Sequence, residues 1–277
     1  MTDILGNLLR VTPAFRGKWR LRRIWERTVP HGERRIAQLP EGSILNVQLD
    51  IPYERMVWLQ DEEWDELRYL HRKLRPGDVF IDVGANIGLW TLVAASSVGS
   101  CGRVFSFEPN PATFNKLAEN IRLNKKDTVI EVFQEAISKD EGVASFACHP
   151  QHNLSAISSC GFEGRDVIKV RTRALDFLLA NELAATHLAG IKLDTEGHEL
   201  NALEGAAGLL EKRSPWLIVE FNTMLLTSNV LEAWPVYGFL LEKRYWPFTY
   251  DRRGEETRVD GTLTVDGYRN ILFKRIS

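Results

Sequence analysis

The sequence predicts an α/β protein built on a doubly wound parallel sheet. Three observations carry that prediction. From about Asp61 onward, short apolar runs alternate with stretches of helical periodicity. The runs are apolar throughout rather than alternating, the pattern of strands covered on both faces. Two acids, Asp82 and Glu108, close consecutive runs, at the strand ends where such sheets bind ligands.

The elements follow in order. Glu63 to Leu74 sets Trp64, Leu67, Leu70 and Leu74 on one helical face, and Pro76-Gly77 halts it. Val79-Phe80-Ile81 reads as the first buried strand. A glycine loop and an apolar helix, Leu89 to about Val98, come next, then a second strand from Val104 to Phe107. Pro111 suits the first position of a helix carrying Phe114, Leu117, Ala118 and Ile121. Val129 to Phe133 and Ile191 to Leu193 give the third and fourth strands, Leu200 to Leu210 a helix, and Trp216 to Phe221 the fifth strand. Val143 to Ala147 and Val167 to Thr172 read as strands flanking a polar segment, His149 to Arg165, placed to overhang the ligand cleft. Ahead of all this, Ile4, Leu8 and Val11, then Phe15, Trp19 and Trp25, are interspersed with Arg16, Lys18, Arg20, Arg22, Arg23 and Arg27, the pattern of amphipathic helices.

With 277 residues, and roughly 150 per domain, the chain has room for about 1.8 domains. The division expected is a basic, mainly helical N-terminal extension over 1–60 and one ligand-binding domain over 61–277. Hydrophobic residues at 44% and charged ones at 26% exclude a disordered chain. The net charge of −2 argues against nucleic acid as a partner, but it hides an asymmetry. Residues 1–36 hold nine basic residues against three acids, leaving 26 basic against 34 acidic for the remainder. The extension is thus expected to dock on its own acidic domain; a lid over the cleft, a homodimer contact and attachment to an anionic surface are its other possible uses. Cys101, Cys148 and Cys160 form no CxxC pair, and no run of 18 apolar residues occurs, so the expectation is a cytoplasmic protein with no transmembrane segment.

The first strand runs into Asp82-Val83-Gly84-Ala85-Asn86-Ile87-Gly88. The glycines permit a tight turn and close backbone approach, and the helix that follows presents unpaired N–H groups. Glu108 lies 24 residues after Gly84, the interval at which an acid meets ribose hydroxyls in nucleotide-binding βαβ units. The dinucleotide fingerprint is incomplete, since the third glycine is missing, and no Gly-x4-Gly-Lys-Ser/Thr loop occurs; NAD, ATP and GTP are disfavoured. An acid before the loop suits a ligand bearing an amino or sulfonium cation, as S-adenosylmethionine does.

Asp82-Val-Gly-Ala-Asn-Ile-Gly, Phe107-Glu108-Pro109, Asn120, Ala136-Ile137-Ser138, Asp194-Thr-Glu-Gly-His-Glu199, Leu203-Glu-Gly205 and Val219-Glu220 together resemble the FkbM-type methyltransferases, over about residues 60 to 275. The resemblance implies a class I methyltransferase Rossmann-like fold. Its sheet has seven mostly parallel strands with an antiparallel last strand, matched by Asn270 to Lys274, and its cofactor is S-adenosylmethionine. It also implies O-methylation of a hydroxyl on a small molecule, a natural product or sugar. Thr195 stands where the family commonly has Val.

On this reading Asp82, Gly84, Asn86 and Gly88 line the methionine end, Glu108 holds the ribose, Glu135 meets the adenine amino group and Thr91 reaches the carboxylate. Asp194 lies beside the transferred methyl group. His198, kept neutral at a helix N-terminus, and Glu196 are its fellow catalytic candidates. His152, Asn153, Ser155 and Glu220 are the acceptor-side candidates, His149 with them. Asp194, Glu196 and Glu220 offer an alternative divalent-cation site, which is not favoured. Zinc at Cys148, His149, His152 and Cys160 is disfavoured by spacing. The remaining alternatives are N-methylation of an amine, a nucleotide-dependent oxidoreductase and a non-catalytic cofactor-binding module.

Overall fold

The computed structural model describes residues 4–12, 17–61, 63–148, 156–157, 166–180 and 187–276. The chain opens with α1 (Ile4–Val11), α2 (Lys18–Glu26), the strands β1 (Arg34–Gln38) and β2 (Ile44–Gln48), and α3 (Pro52–Leu59). The first half of the main sheet is built by α4 (Trp64–Lys73), β3 (Val79–Val83), α5 (Leu89–Val98), β4 (Arg103–Phe107), α6 (Pro111–Leu123) and β5 (Ile130–Phe133). A side sheet follows in β6 (Ala136–Ile137), β7 (Gly142–Cys148), β8 (Ala156–Ile157) and β9 (Asp166–Arg173). Then come α7 (Phe177–Ala180), β10 (Leu188–Leu193), α8 (Glu199–Glu204), α9 (Ala207–Arg213), β11 (Trp216–Asn222), α10 (Pro235–Glu242), β12 (Tyr245–Tyr250), β13 (Glu256–Arg258) and β14 (Tyr268–Arg275).

The main sheet runs β13-β12-β14-β11-β10-β3-β4-β5. The five strands from β11 to β5 are mutually parallel, and β14 is antiparallel to both its neighbours. Without β13 this is the seven-stranded class I methyltransferase arrangement with an antiparallel last strand. The short β13 adds an eighth strand, held where Glu256 accepts hydrogen bonds from Tyr69 Oη at 2.6 Å and from Lys73 and Lys274. Alternate residues of β3 serve opposite layers: Phe80 packs with α5 and the N-terminal elements, and Val79, Ile81 and Val83 pack with α8 and α9. Burial on both faces is why the run reads as continuously apolar.

Local chemistry explains the element ends. Asn110 accepts the Ala112 N–H and Pro111 opens α6, as anticipated. The single helix expected over Leu200 to Leu210 is instead α8 and α9. The chain breaks because Gly205 lies against the Ser138 carbonyl, and because Asp176 caps the new start, taking the N–H groups of Gly208 and Leu209 at 2.9 and 2.8 Å.

The extension contains a hairpin as well as helices. Leu45, Val47 and Leu49 are buried at period two and share a core with Leu92, Val98, Leu117 and Ile121. Its docking is mostly apolar rather than ionic. Of the ion pairs between it and α6, Arg34 to Glu119 at 3.9 Å has the anticipated polarity, whereas Lys116 to the buried Glu54 reverses it. Among the described residues, no helix is long and apolar enough to cross a membrane.

Candidate active site

A cavity opens at the carboxyl ends of β3, β4, β10 and β11, where doubly wound sheets place their ligands. One half of it is built by the glycine loop. Gly84 has φ +82°, and a Cβ there would lie 1.8 Å from the carbonyl oxygen of Asp194, so the turn after β3 touches the end of β10 backbone to backbone. The Gly84 and Ala85 N–H groups both donate to the Phe107 carbonyl. Asn86, also left-handed, donates its N–H to Glu108 Oε2 at 2.9 Å, and Asn110 donates to Glu108 Oε1 at 2.9 Å. Two backbone donors thereby hold the Glu108 carboxylate against the cavity, with a lone pair on each oxygen left for a ligand hydroxyl. Burial raises the Glu108 pKa to about 7 despite those bonds. Phe107, Ala136, Ile137, Phe146 and Ile157 supply the apolar wall beside it. Glu135 also lines the cavity; its Oε1 accepts from Arg173 Nη2 at 2.9 Å, and its Oε2 lies 2.8 Å from Arg173 Nε in an ion pair.

The other half is charged. Lys192, on the central strand β10, is only 2% exposed, and its Nζ donates to Asp194 Oδ2 at 2.7 Å. Burial works against its charge, but Asp194, Glu63 and Asp82 outweigh that and raise its pKa. Its ammonium also lies 5.0 Å from the centre of the Trp90 ring, whose Nε1–H donates to Glu63 at 2.8 Å. Burial and the Asp194 charge lift Glu63 to about 6 against the pull of Lys192. Asp194, Glu196 and Glu220 bring carboxylate oxygens within 4.8 Å of one another. Burial and then like-charge repulsion push Glu196 and Glu220 well above the usual carboxylate range. Asn222 Nδ2 spans these two, at 3.3 Å from Glu196 and 3.5 Å from Glu220. These are the three acids offered above as divalent-cation ligands, and the Lys192 ammonium already brings a cation to them. Tyr53 and Met56 of α3, with Met224 and Tyr268, complete this end.

The sequence profile of the methyltransferase FkbM domain matches residues 82–235, more than half of the chain. The chain belongs to the FkbM methyltransferase family. AglP, a hexuronic acid methyltransferase of Haloferax volcanii, is 31% identical over 161 residues, 58% of this chain and 62% of its own length. Ribosomal protein L11 methyltransferase of Bacillus cytotoxicus is 34% identical over 71 residues, 26% of this chain and 22% of its own. The chain therefore spans less than two thirds of these relatives. Among solved structures, methyltransferase FkbM of Methylobacillus flagellatus KT has a TM-score of 0.45 at 17% identity, covering 80% of this chain and 54% of that one. Precorrin-6y C5,15-methyltransferase of Geobacter metallireducens GS-15 has a TM-score of 0.46 at 11% identity, covering 87% of this chain and all of that one.

In this FkbM family member, Gly84, Asn86, Glu108, Glu135, Asp194, Glu196, His198 and Glu220 all border the one cavity. Asp82, Thr91 and Gly88 do not. Asp82 is fully buried beneath the loop, where its Oδ2 accepts from Thr91 Oγ1 at 2.6 Å, and Thr91 also meets Ser106 at 3.0 Å. Thr91 thus positions Asp82 rather than a ligand. Gly88, at φ +98°, turns the chain into α5. His198 has its pKa lowered by burial, and both its ring nitrogens are engaged, Nε2 with Ser138 at 3.0 Å and Nδ1 with Asn201 at 3.1 Å. Glu199 accepts the N–H groups of Thr195 and Gly197, which fixes the loop after β10. His149, His152, Asn153, Ser155 and Cys160 lie outside the described residues. Lys192, Glu63 and Asn222 belong to the site but to no motif. The available signal was the lysine inside the apolar run Ile191 to Leu193, since a cation in a strand buried on both faces requires partners.

Proposed function

We propose that the chain transfers a methyl group from S-adenosylmethionine to a hydroxyl of a sugar or similar small molecule. The observation that carries this reading is one cavity holding both a nucleoside-type half, Gly84 to Asn86 with Glu108, and a carboxylate cluster able to take a proton. The residues fit the cofactor. Asn86 Oδ1 is buried with no hydrogen-bond partner among the described residues, Glu108 retains acceptors for two hydroxyls, and the surplus of acids suits a cationic ligand. When bound, S-adenosylmethionine supplies a methyl carbon activated as a sulfonium and leaves as a neutral thioether.

The chain must then align the acceptor oxygen and remove its proton. Asp194, fixed by Lys192 through Oδ2, presents its other oxygen to the hydroxyl. The O–H proton passes to this carboxylate and is held within the cluster, where Glu196 and Glu220 have raised proton affinity. His198, with both nitrogens engaged, orients the Ser138 loop. Residues 1–60, the N-terminal extension, serve the acceptor end through Tyr53 and Met56, and His152, Asn153 and Ser155 remain acceptor-side residues on this reading. The relative named as a hexuronic acid methyltransferase supports a saccharide acceptor.

Methyl-labelled S-adenosylmethionine offered with panels of saccharides, polyols and amines, read by mass spectrometry, tests the proposal. Label on a hydroxyl is expected, with Asp194→Asn about a hundredfold slower and its affinity for S-adenosylhomocysteine kept within a few-fold. Transfer to amines alone would make the reaction N-methylation. NADH binding with no S-adenosylhomocysteine affinity would overturn the assignment.

A further inference from the structure

The two N-terminal helices turn a basic and apolar face outward. Ile4, Leu8 and Val11, spaced to share one side of α1, are exposed, Ile4 and Val11 by 74% and 75%. On α2, Trp19 at 56%, Ile24 at 55%, Arg20 and Arg23, with Arg27 just past its end, occupy a second exposed side. The inward sides meet one residue, Trp58: Trp25 stacks on it at 5.6 Å and the Arg10 guanidinium lies over its ring. The acids nearby are spent inward too. Glu26, the acidic residue of α2, is bound by Arg22 at 2.8 Å and Arg55 at 3.2 Å, and Asp61 is bound by Arg22 at 2.8 Å. Among the described residues no carboxylate pairs with Arg20, Arg23 or Arg27; Arg20 and Arg23 lie over the Trp19 ring instead.

We propose that this face binds an anionic membrane surface, with the Ile, Leu, Val and Trp side chains entering the headgroup boundary and the three arginines meeting lipid phosphates. Its chemistry is that of an interfacial helix: apolar side chains and an indole flanked by arginines, with no carboxylate on that face among the described residues. Nucleic acid would use the arginines and leave the aliphatic side chains in water, whereas a lipid interface uses both. The inference does not depend on which acceptor the cavity takes.

Cosedimentation of the full chain with sucrose-loaded vesicles tests it, comparing phosphatidylcholine alone with an equal mixture of phosphatidylcholine and phosphatidylglycerol. Binding is expected on the mixed vesicles, weakening with salt, and little on the neutral ones. Each arginine near such a surface is worth about fivefold, so the triple variant Arg20→Gln, Arg23→Gln, Arg27→Gln should partition about a hundredfold less. Trp19→Ser with Ile24→Ser should remove the binding that survives high salt. Unchanged circular dichroism and S-adenosylhomocysteine affinity would show that the variants are folded. Equal binding to both vesicle types, no binding to either, or variants that bind like the parent would overturn the proposal. So would a solution dimer that Trp19→Ser converts to monomer, since the face would then belong to a second copy.

Discussion

Gly84→Ala tests the joint between the two halves of the cavity. The new methyl carbon would start 1.8 Å from the Asp194 carbonyl oxygen, whereas real Cβ contacts stay beyond 3.0 Å, so the ends of β3 and β10 must separate by about 1.2 Å. That movement strains the Asp194 N–H bond to the Val83 carbonyl, 3.0 Å long, which carries Asp194 into place. Alanine at φ +82° adds left-handed strain of roughly 1–2 kcal/mol. Gly77→Ala is the internal control. Gly77 has φ +91° with nothing within 4 Å of its would-be Cβ, so that variant suffers the strain without the collision. Denaturant unfolding and steady-state turnover should separate the two effects. The control is expected to lose about 1–2 kcal/mol of stability and keep its turnover. Gly84→Ala should lose at least as much stability and about a hundredfold in kcat, the usual consequence of a misplacement near 1 Å. Turnover for Gly84→Ala within a few-fold of Gly77→Ala would refute the claim that this backbone contact sets the position of Asp194.

Glu108, with a pKa near 7, should make cofactor affinity rise as pH increases from about 6 to 8, with protons released on binding; calorimetry in buffers of different ionisation enthalpy reads this, and Glu108→Gln should flatten the dependence. The same raised pKa means that the unliganded protein gains stability from Glu108 below the unfolded carboxylate value and loses it as pH climbs through about 7, so between pH 6 and 8 the parent's melting point should fall more steeply than that of Glu108→Gln, and equal slopes would contradict this. Lys192→Met, leaving Asp194 and Glu63 without their cation, should cost roughly 3–5 kcal/mol in urea unfolding and most of the turnover, whereas EDTA should leave the parent's turnover within a few-fold; a large chelator effect would place a divalent ion at Asp194, Glu196 and Glu220.

The βαβ unit from Val79 to Phe107 was legible because everything that defines it is local: apolar runs buried on both faces, a positive-φ glycine at the turn, and acids at the strand ends. The helix from Leu89 to Val98 has the boundaries anticipated. What the sequence could not show is where a residue finds partners far along the chain. Lys192 becomes a site residue only because Glu63 and Trp90, 129 and 102 positions earlier, converge on it with Asp194. Asp82 reads as a ligand contact from its place at a strand end, but Thr91, nine residues on, draws it beneath the loop. The break at Gly205 follows from a carbonyl at Ser138, invisible to helical periodicity. The β1–β2 hairpin did leave a local trace, the alternation of Leu45, Val47 and Leu49, overshadowed by the arginine-rich helices before it.

The charge inventory of the cavity bears on why its acids outnumber its cations. Glu63, Glu108, Glu135, Asp194, Glu196 and Glu220 border it; Arg173 pairs with Glu135, and among the described lining residues Lys192 is the one buried ammonium. On the proposed reaction, a sulfonium becomes a neutral thioether while a hydroxyl releases its proton. If the cluster keeps that proton, the loss of one positive charge is matched by the gain of another, and the net charge of a poorly solvated site does not change during the step. Each unit of charge imbalance in so dry an environment would cost several kcal/mol. A single strong base such as a free histidine would also take the proton, but it would put the new cation beside Lys192. Passing the proton to Asp194 puts it on a carboxylate set against Glu196 and Glu220, which burial and like charge already hold towards their protonated forms. On the proposed reaction the raised pKa values of Glu196 and Glu220 leave Asp194 as the acceptor, and the engaged ring nitrogens of His198 fit a histidine that shapes the loop rather than one that accepts the proton.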